Sequence, residues 1–375
     1  MEPRGEPGLT LPEHSGTTPN WAKVGARGRV FKASVYLQGE AIVKETFAAY
    51  VVDKKAARVE GEITTLSADQ LSPGEVTIAV EYSSLNYKDA LAATGQGGIV
   101  RHYPHVPGID AAGTVSESQS PDVAVGDRVL VTGYDLGVGA FGGYAEYVRV
   151  PAAWVVRTPA TLTTFEAMAL GTAGFTAAMC LLAMERNGTR PDQGPILVTG
   201  ATGGVGSVAV NILAQQGYPV AASTGKADQH DYLRQLGASQ ILSREDVSLS
   251  GERLRPLLTG AWAGAVDTVG GATLSYLLRT TDHWGNIALC GLVGGHDFAG
   301  TVIPFLLRGI NLLGIDSVAC PMAYRQTIWQ RLATDLKPRH LDQIAQVITL
   351  RDLPGAIAAI LQGQIKGRLL VAPQV

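Results

Sequence analysis

The chain has 375 residues, 46% of them apolar and 17% charged, with a formal net charge of −3. That length accommodates two domains with substantial cores, and the near-neutral balance gives no reason to expect a nucleic-acid partner. Cys180, Cys290 and Cys320 are odd in number and widely spaced, with no C-x-x-C pair. Nothing in this spacing suggests a disulfide framework or a zinc ribbon, and a reducing compartment is expected.

Residues 1–45 mix Pro, Gly, Ser and charges of both signs without a sustained period, and are expected to form a flexible or accessory extension. Strand-like alternation is confined there to Arg27 to Val43. No apolar h-region with a small-residue cleavage site opens the chain, so a cytoplasmic protein is expected.

From Thr46 the pattern becomes short strands and turns: "TFAAYVVDK", "GEVTIAVEYSSLN", "GIDAAGTV" and "GDRVLVTG". Ala167 to Met184 carries no charge over eighteen residues. Its many small residues favour a buried helix or helix pair over a membrane span. Strands and helices then alternate to about Gly314, with "PILVTG", "PVAAST", "QILS", "GAVDTVG" and "NIALCGLVG" as strands, which implies a parallel sheet with crossover helices. The tail closes on "QIKGRLLVAP", a strand able to rejoin the first module. The expected division is 46–169 with 315–375 as one domain and 170–314 as the other.

Between strand "PILVTG" and helix "SVAVNILAQQG" lie Gly200, Gly203, Gly204 and Gly206. Glycine permits the tight turn and lets backbone N–H groups approach a pyrophosphate, whose charge the helix N-terminus favours. A structural glycine turn is the plain alternative. The following strand decides which dinucleotide: from Ser207 to Ala227 there is no Asp or Glu, and Ser223, Thr224, Lys226 and Arg244 stand where an acid would hold the ribose of NAD. Hydroxyls and cations suit the 2′-phosphate of NADPH. Lys226 and Arg244 could otherwise be solvated surface residues.

Taken together, "SSLNYKDALAATGQGGIVRHYPHVPGIDAAGTV", "GTAGFTAAM", "VTGATGGVGS", "GAVDTVGG" and "GIDSV" resemble the medium-chain dehydrogenase/reductase superfamily, specifically its acrylyl-CoA reductase and quinone oxidoreductase-like branch. The resemblance runs from about residue 46 to the end. It implies an α/β fold with a Rossmann-type doubly wound parallel sheet and a β-rich GroES-like catalytic domain. Asn86 to Asp89 and "PGID" occupy the places where zinc alcohol dehydrogenases carry their ligands, so no metal is expected. His102 and His105 are expected to be surface or substrate-facing residues.

The implied activity is NADPH-dependent reduction of acrylyl-CoA. Quinone reduction and a non-catalytic NADPH-binding protein are its rivals. Tyr87 is expected at the nicotinamide end as a cofactor contact or catalytic residue, with Asn86 orienting the substrate. Lys88 and Asp89 are expected either to pair or to serve the site. The resemblance also implies cofactor contacts at Gly206, Ser207, Val208 and Ala209, at Leu292, Leu306, Ser317 and Gln362, and near His230. For the leucines, ordinary core packing is the alternative. Arg101, Arg149 and Arg325 are candidates for the coenzyme A phosphates, and a homodimer through the cofactor-domain sheet is expected.

Overall fold

The structure, a computed structural model, describes residues 43–56, 58–249 and 255–374. The expectations for residues 1–42 lie outside it. β1 (Thr46–Lys55) and β2 (Arg58–Ser67) form an antiparallel ribbon in which Lys55 faces Arg58. β2 is absent from the sequence reading because its side chains are mostly exposed and show no sustained apolar alternation, so pairing with β1 supplies what the pattern does not.

There follow β3 (Val76–Ser84), helix α1 (Tyr87–Thr94), β4 (Asp110–Ser118), β5 (Arg128–Thr132), β6 (Tyr147–Val150), β7 (Val156–Arg157) and α2 (Thr164–Arg186). Next come β8 (Ile196–Val198), α3 (Gly204–Gln215), β9 (Val220–Ser223), α4 (His230–Gln235), β10 (Gln240–Leu242), β11 (Trp262–Asp267), α5 (Gly271–Thr280), β12 (Thr281–Leu289), α6 (Ile303–Arg308) and β13 (Asn311–Gly314). The tail holds α7 (Met322–Leu332), α8 (Leu341–Ile344), β14 (Ala345–Thr349), α9 (Leu353–Leu361) and β15 (Arg368–Ala372).

The middle strands pair in the order β10-β9-β8-β11-β12-β13, all parallel. The chain leaves β8 towards β9 and later returns on its other side as β11, so the crevice between them is the topological switch point, and the glycine turn opens onto it. The second sheet runs β14-β15-β3-β4-β5-β7, with β6 also on β3. Here the closing strand does rejoin the first module: Leu370 pairs with Ser84 and Val371 with Ser83.

Helix α2 joins the two sheets. It starts on a capping box in which Thr163 Oγ1 accepts from Glu166 N and Glu166 Oε2 accepts from Thr163 N. It is a helix pair merged across Gly171, and although long and apolar enough to cross a membrane, 89% of its apolar stretch is buried in this fold.

Gly171 sits at φ +50°, and a Cβ there would lie 2.6 Å from Asp110 Oδ2 and 2.8 Å from both Arg368 Nη2 and Ser84 Oγ. Backbone strain and overpacking therefore act at one place. Gly171→Ala is expected to lower the free energy of unfolding by about 3 kcal/mol or more in urea titrations, and a loss below about 1 kcal/mol would show that the bend relaxes freely.

Candidate active site

The glycine turn is fixed by its own close contacts. A Cβ on Gly206 would come 2.4 Å from Gly200 O, and one on Gly200 would meet Thr268 Oγ1 at the same distance. Gly203 caps α3 without a side-chain acceptor, so the first N–H groups of this twelve-residue helix have no side-chain partner. Such an end favours an anion.

Two further segments close on the turn. Thr202 Oγ1 and Thr224 Oγ1 share a hydrogen bond of 3.2 Å, and Thr224 Oγ1 accepts from Lys226 N. From the far end of the chain, Gly367 N donates to Thr202 O at 2.9 Å, and Ile365 O accepts from Lys226 Nζ at 2.5 Å. Lys366, between those two anchors, is held beside the turn with its ammonium 4.8 Å from the Tyr232 ring centre. Burial pulls the Lys226 ammonium below its usual pKa, and Arg244 and Lys366 add to that effect while Asp228 opposes it. Three cations thus crowd one place, a repulsion that a bound phosphate would relieve. Lys366 was missed in the sequence because it lies about 140 residues from the strand that normally decides the cofactor.

A buried polar cluster joins this turn to α1. Asp110 accepts from Ser84 Oγ at 2.5 Å, Asn86 Nδ2 at 2.8 Å and Thr172 Oγ1 at 2.5 Å, and pairs with Arg368 at 3.6 Å. Arg368 also donates to Leu85 O and Asn86 Oδ1, both at 3.1 Å, and to Ser84 Oγ at 2.6 Å. Its stem runs along the start of α3, 3.1 Å from where a Cβ on Gly204 would stand. The N-termini of α1 and α3 are therefore held side by side.

Tyr87, the first residue of α1, is 38% exposed at this junction. Asn86 is buried, its amide spent on Asp110 and Arg368. Gly206, Ser207, Val208 and Ala209 are buried at the start of α3, with Gly203 and Gly204 partly exposed. Ser223 donates to Ser243 O, Arg244 lies against Gly225, and His230 begins α4. Ser317 follows β13, with its carbonyl accepting from Arg325, and Gln362 is exposed at the end of α9.

Two alternatives fall away and two expectations change. Lys88 and Asp89 do not pair: Asp89 is buried and accepts from Asn86 N, Gly108 N and Ile109 N at 2.8–3.1 Å. Leu292 and Leu306 are not core residues, being 62% and 76% exposed. Arg325 is wholly buried and donates to Thr132 and to the Ser317 and Val318 carbonyls, so it meets no phosphate. His105 is buried beside Phe141.

Fold and site together define a nucleotide-dependent oxidoreductase architecture. The alcohol dehydrogenase GroES-like domain matches residues 72–160 and the zinc-binding dehydrogenase domain residues 204–334. Acrylyl-CoA reductase AcuI of Ruegeria pomeroyi is 50% identical, the match covering 87% of this chain and 98% of the relative. The putative quinone oxidoreductase YhfP of Bacillus subtilis is 49% identical over the same shares, and its crystal structure with NAD bound superposes with a TM-score of 0.84, covering 87% and 99%. The YhdH oxidoreductase of Salmonella enterica in complex with NADP is 46% identical, with a TM-score of 0.84 and the same coverage. The chain belongs to the medium-chain dehydrogenase/reductase superfamily, in its acrylyl-CoA reductase and quinone oxidoreductase-like branch.

A catalytic zinc does not fit this donor set. Zinc needs several His, Cys or carboxylate ligands converging on one point, and among the described residues no three of these side chains do so. Asp89, two residues beyond Tyr87, is already committed to three backbone N–H groups.

Burial and the neighbouring Asp110 push Asp89 up to about 7, against the N–H groups that favour its charge. The folded chain then holds this proton more tightly than the unfolded chain, so its contribution to stability is present at acid pH and lost as pH rises through about 7. Raising the pH from about 5.5 to about 8 should cost the native protein about 2 kcal/mol more than Asp89→Asn, compared by urea midpoints. Equal pH slopes would mean that Asp89 stays charged throughout.

Proposed function

We propose that the protein is an NADPH-dependent reductase of a conjugated C=C bond, with acrylyl-CoA as substrate and propanoyl-CoA as product. The observation that carries the cofactor choice is the convergence of Lys226, Arg244 and Lys366 beside an uncapped helix N-terminus, where no carboxylate occupies the end of β9. Residues 170–314 form the nucleotide-binding domain in this reading, and 46–169 with 315–375 the catalytic one. The 50% identity to an acrylyl-CoA reductase supports the substrate.

NADPH, when bound, supplies the hydride that adds to the β-carbon of the thioester, and a proton completes the product at the α-carbon. The N–H groups of α3 hold its pyrophosphate, and the three cations hold its 2′-phosphate. Tyr87 presents a phenol at the junction of α1 and α3, where it donates a hydrogen bond to the cofactor, and Asn86 fixes the start of α1 through Asp110 and Arg368. Because the donor set among the described residues does not suit a zinc that would polarise a carbonyl, alkene reduction fits these residues better than alcohol oxidation.

The subunits pair in this proposal through the sheet edge at β13. Trp284, Val293, Phe298, Val302, Leu306 and Leu307 are exposed on elements beside that edge, an apolar display that a second copy would cover.

Absorbance at 340 nm with NADPH should fall on addition of acrylyl-CoA. Loss with a simple quinone alone would move the function to the activity named for the Bacillus relative, and binding of NADPH without turnover would mark a non-catalytic protein. Lys226→Ala and Lys366→Ala should each raise the KM for NADPH about tenfold and leave that for NADH nearly unchanged, whereas equal effects would remove the 2′-phosphate assignment. Light scattering should give twice the mass of one chain for the native protein and a single-chain mass for Leu307→Glu. A monomeric native protein would end the pairing proposal.

A further inference from the structure

The coenzyme A end of the proposed substrate has no place in the site described above. Its 3′-phosphoadenosine diphosphate carries several negative charges and an aromatic base, and needs cations, a flat apolar wall and room. Of the three arginines considered from sequence, Arg325 is wholly buried and Arg149 is spent on Thr77 and Glu117. Arg101 is exposed and lines a cavity of about 560 Å³ together with Lys54, Arg58, Val59, Val100 and Tyr103.

The sequence does not place these residues together, but the fold does. Val52 N donates to His105 O at 2.8 Å and His105 N to Val52 O at 2.9 Å, an antiparallel bridge that carries the segment before His105 along the end of β1. Lys54 and Tyr103, each two residues from the bridge, thereby come opposite one another. The β1–β2 register puts Lys54 across from Val59 and so brings Arg58 to the same rim. The floor is the end of α1, where Gly95 stands at φ +71° and a Cβ would lie 2.6 Å from Val59 Cγ2. Only glycine closes that corner.

Among the described residues, Lys54, Arg58 and Arg101 join no ion pair, whereas the neighbouring Lys55 is paired with Glu62. A second cavity of about 450 Å³ shares Arg101 and is lined also by Asp135. Its mixed charge suits a polyphosphate less well.

The distance is also suitable. Thr94 and Gly95 line the cavity, and Tyr87 begins the same eight-residue helix. At 1.5 Å per residue the two ends of α1 are about 12 Å apart, a separation that a pantetheine arm spans.

The geometry points to this cavity as the binding site for the 3′-phosphoadenosine diphosphate of coenzyme A, with Lys54, Arg58 and Arg101 on its phosphates and Tyr103 beside its base. The assignment rests on the enoyl-CoA reading of the function. It makes the protein a reader of the carrier as well as of the alkene.

The test compares the native protein with the triple variant Lys54→Ala, Arg58→Ala, Arg101→Ala in two ways. In the first, calorimetric titration of 3′-phosphoadenosine 5′-diphosphate into NADPH-saturated protein keeps the probe out of the cofactor site. The native protein should bind it, the triple variant about tenfold or more weakly, and the charge-keeping variant Lys54→Arg, Arg58→Lys, Arg101→Lys should recover most of the binding. In the second, the KM for acrylyl-CoA should rise about tenfold in the triple variant with kcat within about twofold, while kcat/KM for the short acrylyl N-acetylcysteamine thioester stays unchanged.

Native-level nucleotide binding by the triple variant, or equal losses on both thioesters, would overturn the assignment. If the native protein reduces only quinones yet binds the nucleotide through these cations, the acrylyl-CoA reading fails and the cavity assignment stands. If it reduces acrylyl-CoA but binds no nucleotide here, the reverse holds.

Discussion

The buried pair of Asp110 and Arg368 is the constraint around which the rest of the molecule is arranged. Both side chains are almost wholly removed from water, with exposures of 0% and 3%. Burial pulls the Arg368 guanidinium below its usual pKa, and Asp110 and Asp89 oppose that pull. A charge in this position persists only when its partners are complete, and removing one member of such a pair costs about 3–5 kcal/mol. The donors on Ser84, Asn86 and Thr172 are therefore part of the pair rather than additions to it. Each comes from a different element: the end of β3, the cap of α1, and the bend of α2.

That arrangement explains how a catalytic sheet and a nucleotide sheet come to share one site. Arg368 enters from β15, the bend at Gly171 turns α2 towards Asp110, and the start of α3 lies along the arginine stem. Tyr87 and the glycine turn are neighbours as a result. The cation cluster has the same origin, since the residues before Arg368 are those that meet Lys226 and Thr202. One tail segment anchors the fold with its arginine and sets its lysine beside the glycine turn.

Local chemistry in the sequence revealed much of this. The glycine turn, the strands flanking it, the β-rich first module and the returning tail strand all announce themselves through short patterns of apolar residues and turn formers. The uncharged run around Gly171 also reads correctly as a buried helix pair. What escaped was set by distance along the chain. Lys366 looks like a surface lysine until Gly367 is seen to bond Thr202, and Asp89 looks like a partner for Lys88 until three backbone N–H groups claim it. β2 has no alternating apolar face, so only its pairing with β1 defines it. For Leu292 and Leu306 the sequence leaves core packing open beside a cofactor contact, because an apolar side chain carries no mark of whether it faces a core or another surface, and their exposure removes the core alternative.

The position of β15 also bears on how the molecule is made. It lies between β14 and β3, and the bond from Arg368 to Ser84 closes a span of 284 residues. During synthesis β6 covers Val76–Ala79 early, but the end of β3 at Ser83 and Ser84 stays open while the whole nucleotide-binding segment is added. An unpaired strand edge is a template for the wrong partner. Its own late strand brings the arginine that neutralises Asp110, so the first sheet reaches its final state only after the second has been translated. The order of translation thus completes the six-stranded parallel sheet before the second sheet can close, and a nascent chain stalled between the two would expose the end of β3 and an uncompensated acid.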